Sequence, residues 1–326
     1  MSKSKFYLGI GPMSVEIIET VNEYTSPDNT QLMLICSENQ VNRDGGYTGL
    51  TTKEFSKLIH NTDVWKCRDH CGPRFFYRTK QECFDTIIDD INNGFELIHI
   101  DNCWLDGEEK LQYTLEAIEL ALSINSNIKF EIGTEVNTVN NKLSSNKLQS
   151  YLDEILKLTT PFFYVLETGS VVQGYNNTHK FDICDESVKI LNNASIKIKE
   201  HNADYINKPE IRKRYGIING MNIAPQFGVV QTSTILNEAM IYGIDTTEFK
   251  YLVYHKNKWN KWKEDNRKVN LDYATLLAGH YHFNTNEYQS LIDKLSKYVN
   301  IRHNIKNNIK KIIDYYISSY WSSDES

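Results

Sequence analysis

Eight short apolar runs, each followed by a loop and a helical stretch, constrain the fold of this chain more than any other feature. Residues 6–10, 31–36, 64–67, 96–100, 128–132, 162–166, 196–199 and 221–224 read as strands. Helical periodicity or start signals follow at 14–23, 81–92, 108–124, 145–158, 186–193, 209–215 and 232–242. One further helix starts at Thr51-Thr52-Lys53-Glu54, where a capping box lets Thr51 and Glu54 satisfy each other's free backbone N–H. Strictly alternating strands and helices build a parallel α/β sheet. Eight units in about 240 residues is the size of a (β/α)8 TIM barrel. A doubly wound sheet alternates in the same way, but eight units and no glycine-rich phosphate loop after the first strand favour the barrel.

From residue 244 the pattern changes. The barrel is expected over 1–243, with 244–326 a helical extension packed outside it. This part is rich in Lys, Asn, Tyr and Trp, as in Lys256-Asn257-Lys258-Trp259-Asn260-Lys261-Trp262. Such a run can bind phosphates or nucleic acid. The net charge of -6 is modest and spread along the chain, so a solvated amphipathic face is the expected reading and no nucleic-acid partner is. With 40% hydrophobic and 12% aromatic residues the chain can fill a core. No apolar stretch approaches the roughly 20 residues of a membrane span, and no signal peptide is visible, so a soluble, cytoplasmic protein is expected. The six cysteines, at 36, 67, 71, 83, 103 and 184, lack zinc-ribbon spacing and are expected to be reduced.

Three strand ends carry metal-binding chemistry: Cys67-Arg68-Asp69-His70, Gly133-Thr134-Glu135 and Glu200-His201-Asn202-Ala203-Asp204. In a parallel barrel all strand C-termini point to one face, so these groups converge there. Histidine with carboxylate suits a divalent ion of the zinc or manganese kind with open positions for substrate oxygens. On an extended strand Asp69 and His70 point to opposite sides, which separates an acid/base from a ligand. His99, inside its strand, reads as a hydrogen-bonded structural residue. Asp101, two positions on, meets substrate or supports a ligand. Glu135 belongs to the site or caps a turn. The loop after strand two offers Asn39, Gln40, Arg43, Gly45, Gly46 and Tyr47, a mixture suited to hydroxyl-rich or phosphorylated ligands. Gly169-Ser170, after strand six, offers backbone N–H groups to a phosphate.

The segment Asn39-Gln40-Val41-Asn42-Arg43-Asp44-Gly45-Gly46-Tyr47-Thr48-Gly49-Leu50-Thr51 resembles the tagatose-bisphosphate aldolase non-catalytic subunit family, which also holds metal-dependent ketose-phosphate and ketouronate 4-epimerases. Asp69-His70-Cys71-Gly72-Pro73, Ile98-His99-Ile100-Asp101, Ile132-Gly133-Thr134-Glu135-Val136 and Glu200-His201-Asn202-Ala203-Asp204-Tyr205 resemble its later blocks, in order. The resemblance implies a TIM barrel of the class II aldolase kind. It implies His70 and His201 as metal ligands, His179 as the nearest candidate for the third, and Asp69 as the acid/base, with Glu135 and Asp204 beside it. Cys67-Arg68 stands where the family has glycines, and Arg68 is expected to add a charge at the barrel mouth.

These expectations describe a metal-dependent enzyme, with zinc the first candidate ion and manganese or another divalent ion the next. It inverts C4 of a ketose phosphate such as fructose or tagatose 6-phosphate by retro-aldol cleavage and re-closure. An aldolase uses the same residues. A barrel that only stabilises an aldolase subunit is the alternative from another class. The expected ligand is a small sugar phosphate, and the expected protein partner a second copy or an aldolase subunit.

Overall fold

The structure, a computed structural model, describes residues 5–73, 78–133, 145–178, 181–264 and 267–322. Eight parallel strands close into a barrel: β1 (Phe6–Ile10), β2 (Thr30–Ser37), β3 (Trp65–Cys71), β4 (Leu97–Ile100), β5 (Lys129–Gly133), β6 (Phe163–Val165), β7 (Lys197–Glu200) and β8 (Gly220–Ile223). They neighbour one another in sequence order, and β8 returns to β1 with Tyr7 opposite Gly220. The helices α1 (Val15–Glu23), α2 (Thr52–Leu58), α3 (Lys80–Asn92), α4 (Gly107–Ile124), α5 (Ser145–Ile155), α6 (Asp185–Asn193), α7 (Lys208–Lys213) and α8 (Pro225–Ile241) follow the strands in turn. The TIM barrel read from the sequence is therefore the fold. The capping box at Thr51 and Glu54 starts α2 as expected.

Inside the barrel the side chains change character along the strands. Tyr7, Met33, Ile35, Cys67, Leu97 and Phe163 form a buried apolar cluster that fills the lumen. Two positions further along their strands come Asp69 after Cys67 and His99 after Leu97, joined by Glu131 and Lys199. An apolar plug thus supports a charged layer at the C-terminal mouth. All six cysteines are free, and Cys36, Cys67, Cys71 and Cys83 are buried.

Beyond α8, helices α9 (Thr247–Lys256), α10 (Leu271–Ala278), α11 (Asn286–Leu295) and α12 (Ile301–Trp321) pack outside the barrel. The longest, α12, lies against α1, α7 and α8. Its last turn reaches the starts of β1 and β2: Tyr320 stacks on Phe6 at 4.0 Å, and Trp321 Nε1 donates to Thr30 Oγ1 at 3.1 Å. No helix among the described residues is long and apolar enough to cross a membrane.

One helix differs from the expectation. α8 begins at Pro225, seven positions before the expected 232, directly after β8. Its N-terminus is capped by Asp204, whose Oδ1 accepts the backbone N–H of Ala224 (3.1 Å) and Gln226 (2.8 Å).

Candidate metal and substrate site at the barrel mouth

Strand β3 is not regular where it enters the site. Its pairing with β4 shifts register between Arg68 and Cys71, and His70 adopts the left-handed conformation at φ 52°. A bulge of this kind adds a residue and re-aims side chains. The alternation expected for Asp69 and His70 is thereby broken. Both turn inward, with His70 Nε2 3.6 Å from Asp69 Oδ2. A left-handed non-glycine residue costs on the order of 1–3 kcal/mol and persists where the surroundings hold it. Here Asp101 holds it, its Oδ2 2.7 Å from His70 Nδ1. Gly72 makes the close approach feasible, since a Cβ there would overlap the Asp101 carbonyl.

Three imidazoles meet at this point. The rings of His70, His99 and His201 lie 5.0–5.3 Å apart between centroids. With Asp69, each offers one ligand atom, and all four atoms fall within 4.8 Å of one another. Among the described residues this is the one such group. Each ring is also bonded through one nitrogen to a buried acceptor. His70 Nδ1 donates to Asp101. His99 Nε2 donates to the Gly133 carbonyl at 2.9 Å, and His201 Nε2 donates to Glu131 Oε1 at 2.6 Å. In the neutral tautomers of His70 and His99 the other nitrogen then carries the lone pair, the arrangement that orients metal-binding histidines. For His99 that atom is Nδ1, 3.4 Å from Asp69 Oδ1. For His201, in contrast, the Nε2 that bonds Glu131 is itself 4.0 Å from Asp69 Oδ1. His99 reads from the sequence as a hydrogen-bonded structural residue; its ring makes such a bond with one nitrogen and reaches the cluster with the other.

Burial opposes ionisation of Asp69. His70 and His201 when protonated, with His99 beside them, outweigh it and hold the carboxyl well below the usual carboxylate range. Glu131 behaves alike. Burial opposes its charge, but Lys199, His99 and His201 bring it down to about 2. Glu131 and Lys199, both buried and salt-bridged to each other, were not singled out from the sequence. A charged residue within a strand-like run was the only available signal. Three imidazoles, each fixed through one nitrogen, beside an enforced carboxylate form a donor set that fits zinc or manganese.

Other expected site residues have different work. Asp101 is fully buried and engaged with His70 and the Cys103 N–H, so it holds the His70 ring instead of facing the open mouth. Asp204 caps α8 and stands apart from the four-atom cluster. Arg68 is not at the mouth: it is fully buried and bonds Asp90 of α3 through two contacts of 2.6 Å. It also donates to the Cys36 and Val41 carbonyls. Its side chain therefore lies between sheet and helix, as alternation next to an inward Asp69 requires.

In the strand-two loop, exposed Arg43 pairs with Asp85 of α3 at 3.4 Å. Gln40 is buried, its Oε1 accepting the Ser37 N–H and its carbonyl accepting Thr48 Oγ1. Tyr47 N donates to the Asn39 carbonyl, and Gly46 packs so closely on Gln40 that a Cβ would overlap its carbonyl. Gly45 takes a positive φ of 87°. This mixture folds the loop on itself. Glu135 and His179 lie outside the described residues.

Gly169 and Ser170 line a pocket of about 210 Å³ together with His201, Asn202, Glu167 and Trp262. Ser170 Oγ donates to Glu200 Oε1 at 2.5 Å, and buried Arg214 holds Glu200 through Nε at 2.6 Å and Nη2 at 2.9 Å. The pocket opens onto the His201 side of the cluster. A larger, more open groove of about 780 Å³ lies near α9 and α11 and is lined by no residue of the mouth.

Comparison with known proteins agrees with the barrel fold. Residues 11–120, about a third of the chain, match the family described as D-tagatose-1,6-bisphosphate aldolase subunit GatZ/KbaZ-like. No curated protein matches the sequence significantly. The fold resembles the crystal structure of a probable tagatose 6 phosphate kinase from Sinorhizobium meliloti 1021. The identity is 13% and the TM-score 0.71, over 97% of this chain and 100% of that one. It also resembles the YdjI aldolase from Escherichia coli K12, with 13% identity and TM-score 0.57, over 99% of this chain and 93% of that one. The native fructuronate-tagaturonate epimerase UxaE from Cohnella laeviribosi is similar at 11% identity and TM-score 0.58, over 98% and 82%. At these identities the structural likeness speaks for the fold.

Proposed function

We propose that this chain, GatZ/KbaZ-like over residues 11–120, is a sugar-phosphate enzyme that inverts C4 of a ketose phosphate. The observation that carries the reading is the convergence of Asp69 with His70, His99 and His201 at the barrel mouth. A divalent ion held by the three histidines with Asp69 alongside would polarise the substrate carbonyl and stabilise negative charge developing next to it. The chain's own groups do the rest. Asp69, held ionised, takes the proton of the C4 hydroxyl. The electron pair of the C3–C4 bond moves to C3 and into the adjoining carbonyl, and C4 becomes an aldehyde. Re-closure on the other face of that aldehyde inverts C4, and Asp69 returns the proton. The same surroundings that keep Asp69 charged weaken it as a base, so the step relies on acidification of the substrate hydroxyl in the site. Asp101 and Glu131 keep the rings of His70 and His201 oriented throughout.

The family's description as an aldolase subunit supports a second reading, a barrel that only stabilises a partner. Buried, mutually paired charges at a mouth rarely increase stability over apolar residues. A purely supporting barrel would have no use for Asp69, His70, His99, Glu131, Lys199 and His201 in one layer.

The test is proton NMR of metal-analysed protein with fructose 6-phosphate and with a heptulose 7-phosphate in D₂O. New 4-epimer signals without deuterium at C4 are expected. Aldehyde and triose fragments would indicate an aldolase. No change with either sugar, in metal-loaded protein, would favour the supporting subunit.

A further inference from the structure

The Lys/Trp run of the C-terminal part plays no role in the chemistry above, yet the structure brings its last residue to the pocket beside His201. We propose that Trp262 is a specificity-determining wall of the substrate pocket, presenting an aromatic face to the carbon chain of a sugar phosphate. The proposal rests on the sugar-phosphate reading of the site.

Trp262 is fixed from several directions. Its carbonyl accepts the Gly174 N–H at 2.7 Å, and its Nε1 donates to the Tyr281 hydroxyl at 3.1 Å. The Tyr281 ring meets Tyr47 edge-on at 5.0 Å, which carries the contact to the strand-two loop. Two more bonds join the adjoining residues to the hairpin of Val172–Gln173 and Asn176–Asn177. Gln173 Nε2 donates to the Lys263 carbonyl at 3.4 Å, and Asn176 Nδ2 to Glu264 Oε1 at 3.2 Å. The segment is therefore built into the loops after β2 and β6, where barrel enzymes place their substrate contacts.

The chemistry of the wall follows. With its N–H already bonded to Tyr281, the indole adds apolar surface to the pocket, suited to the C–H face of a sugar. Ser170, Asn202 and Glu167 on the same pocket are polar and suited to its hydroxyls. Lys261 Nζ stands 4.6 Å from the Trp262 ring centre, a positive charge of the sign an anionic sugar requires. A small, partly apolar pocket with a few polar groups fits a monosaccharide phosphate better than a phosphate ion alone.

The test compares full-length, metal-loaded wild type with Trp262→Phe and Trp262→Ala. Binding of fructose 6-phosphate, heptulose 7-phosphate and inorganic phosphate is followed by calorimetry and tryptophan fluorescence. Sugar phosphate is expected to shift the emission of wild type but not of Trp262→Phe. Trp262→Ala is expected to raise the sugar-phosphate Kd roughly tenfold, with metal content unchanged and inorganic phosphate binding unaltered. Equal sugar-phosphate affinity in Trp262→Ala and wild type would overturn the proposal. If Trp262→Ala does not fold, an identical ligand-induced emission change in wild type and Trp262→Phe overturns it instead. Failure of every metal-loaded form, wild type included, to bind either sugar phosphate would remove the underlying reading, and this one with it.

Discussion

His99 and Glu131 face each other in register across β4 and β5, with 3.9 Å between His99 Nδ1 and Glu131 Oε1. Glu131 thus stands at the centre of the charged layer. One oxygen bonds His201 and the other Lys199, while His99 looks on from the neighbouring strand. The carboxylate fixes a candidate ligand ring and neutralises the buried Lys199.

Removing one member of this arrangement leaves a buried charge without its partner. Glu131→Gln and Lys199→Met are each expected to destabilise the fold by about 3–5 kcal/mol, the range for breaking a buried ion pair. The double variant should recover a large part of that loss, because neither charge then remains. Urea unfolding of the four proteins measures the coupling. Strict additivity of the two single effects would show that the pair is not the source.

The same residue gives the acid limb of stability a sign. Glu131 has an ordinary value of 4.5 and is brought down to about 2 in the fold. A lowered carboxylate contributes stability that is complete above the ordinary value and lost as pH falls through the folded one. Stability should therefore decline between about pH 4.5 and 2, and Asp69, also lowered, acts in the same direction. Glu131→Gln should flatten this limb by roughly 3 kcal/mol. Thermal unfolding across that window, run on both proteins, reads the difference, and parallel curves would contradict it.

Metal affinity separates the roles of the three histidines and their supports. His70→Ala, His99→Ala and His201→Ala should each lower zinc or manganese affinity by roughly 100-fold or more, as removal of a ligand does. Asp101→Asn, which loosens the His70 ring without removing it, should cost about 10–100-fold. Calorimetric titration of metal-stripped protein provides both numbers. Undiminished affinity in His99→Ala would return that residue to the structural role its place within β4 suggests.

What the sequence revealed, and what it concealed, divides along chain distance. The strands and the capping box at Thr51 and Glu54 are local patterns, so they are legible to within a few residues. Asp69 and His70 stand out because an acid and a histidine close an apolar run. The bulge that turns both inward has no local mark, since it arises from a register shift against β4. Arg68 finds Asp90 22 positions away, and α8 takes its cap from a residue 20 positions before Ala224. Glu131 and Lys199 are separated by 68 positions, and each alone looks like a strand charge facing water. Pairings of this span follow from barrel closure, which a single sequence does not spell out.

Asp204 offers the last test, because it replaces a catalytic expectation with a structural one. Its Oδ1 accepts two backbone N–H groups at the start of α8, and loss of such a cap costs about 1–2 kcal/mol. Asp204→Ala should show that loss in urea unfolding, with metal content intact. Burial pushes the Asp204 carboxyl up to about 7 from an ordinary 3.8, against the pull of the Gln226 and Ala224 N–H groups. A raised carboxyl contributes stability that is complete below about pH 3.8 and lost as pH rises through 7. Asp204→Asn keeps an acceptor oxygen for the cap and does not titrate. Its stability should therefore lack the wild-type decline between pH 4 and 7. Loss of turnover in Asp204→Asn with stability and metal content retained would instead give Asp204 a direct part in proton transfer.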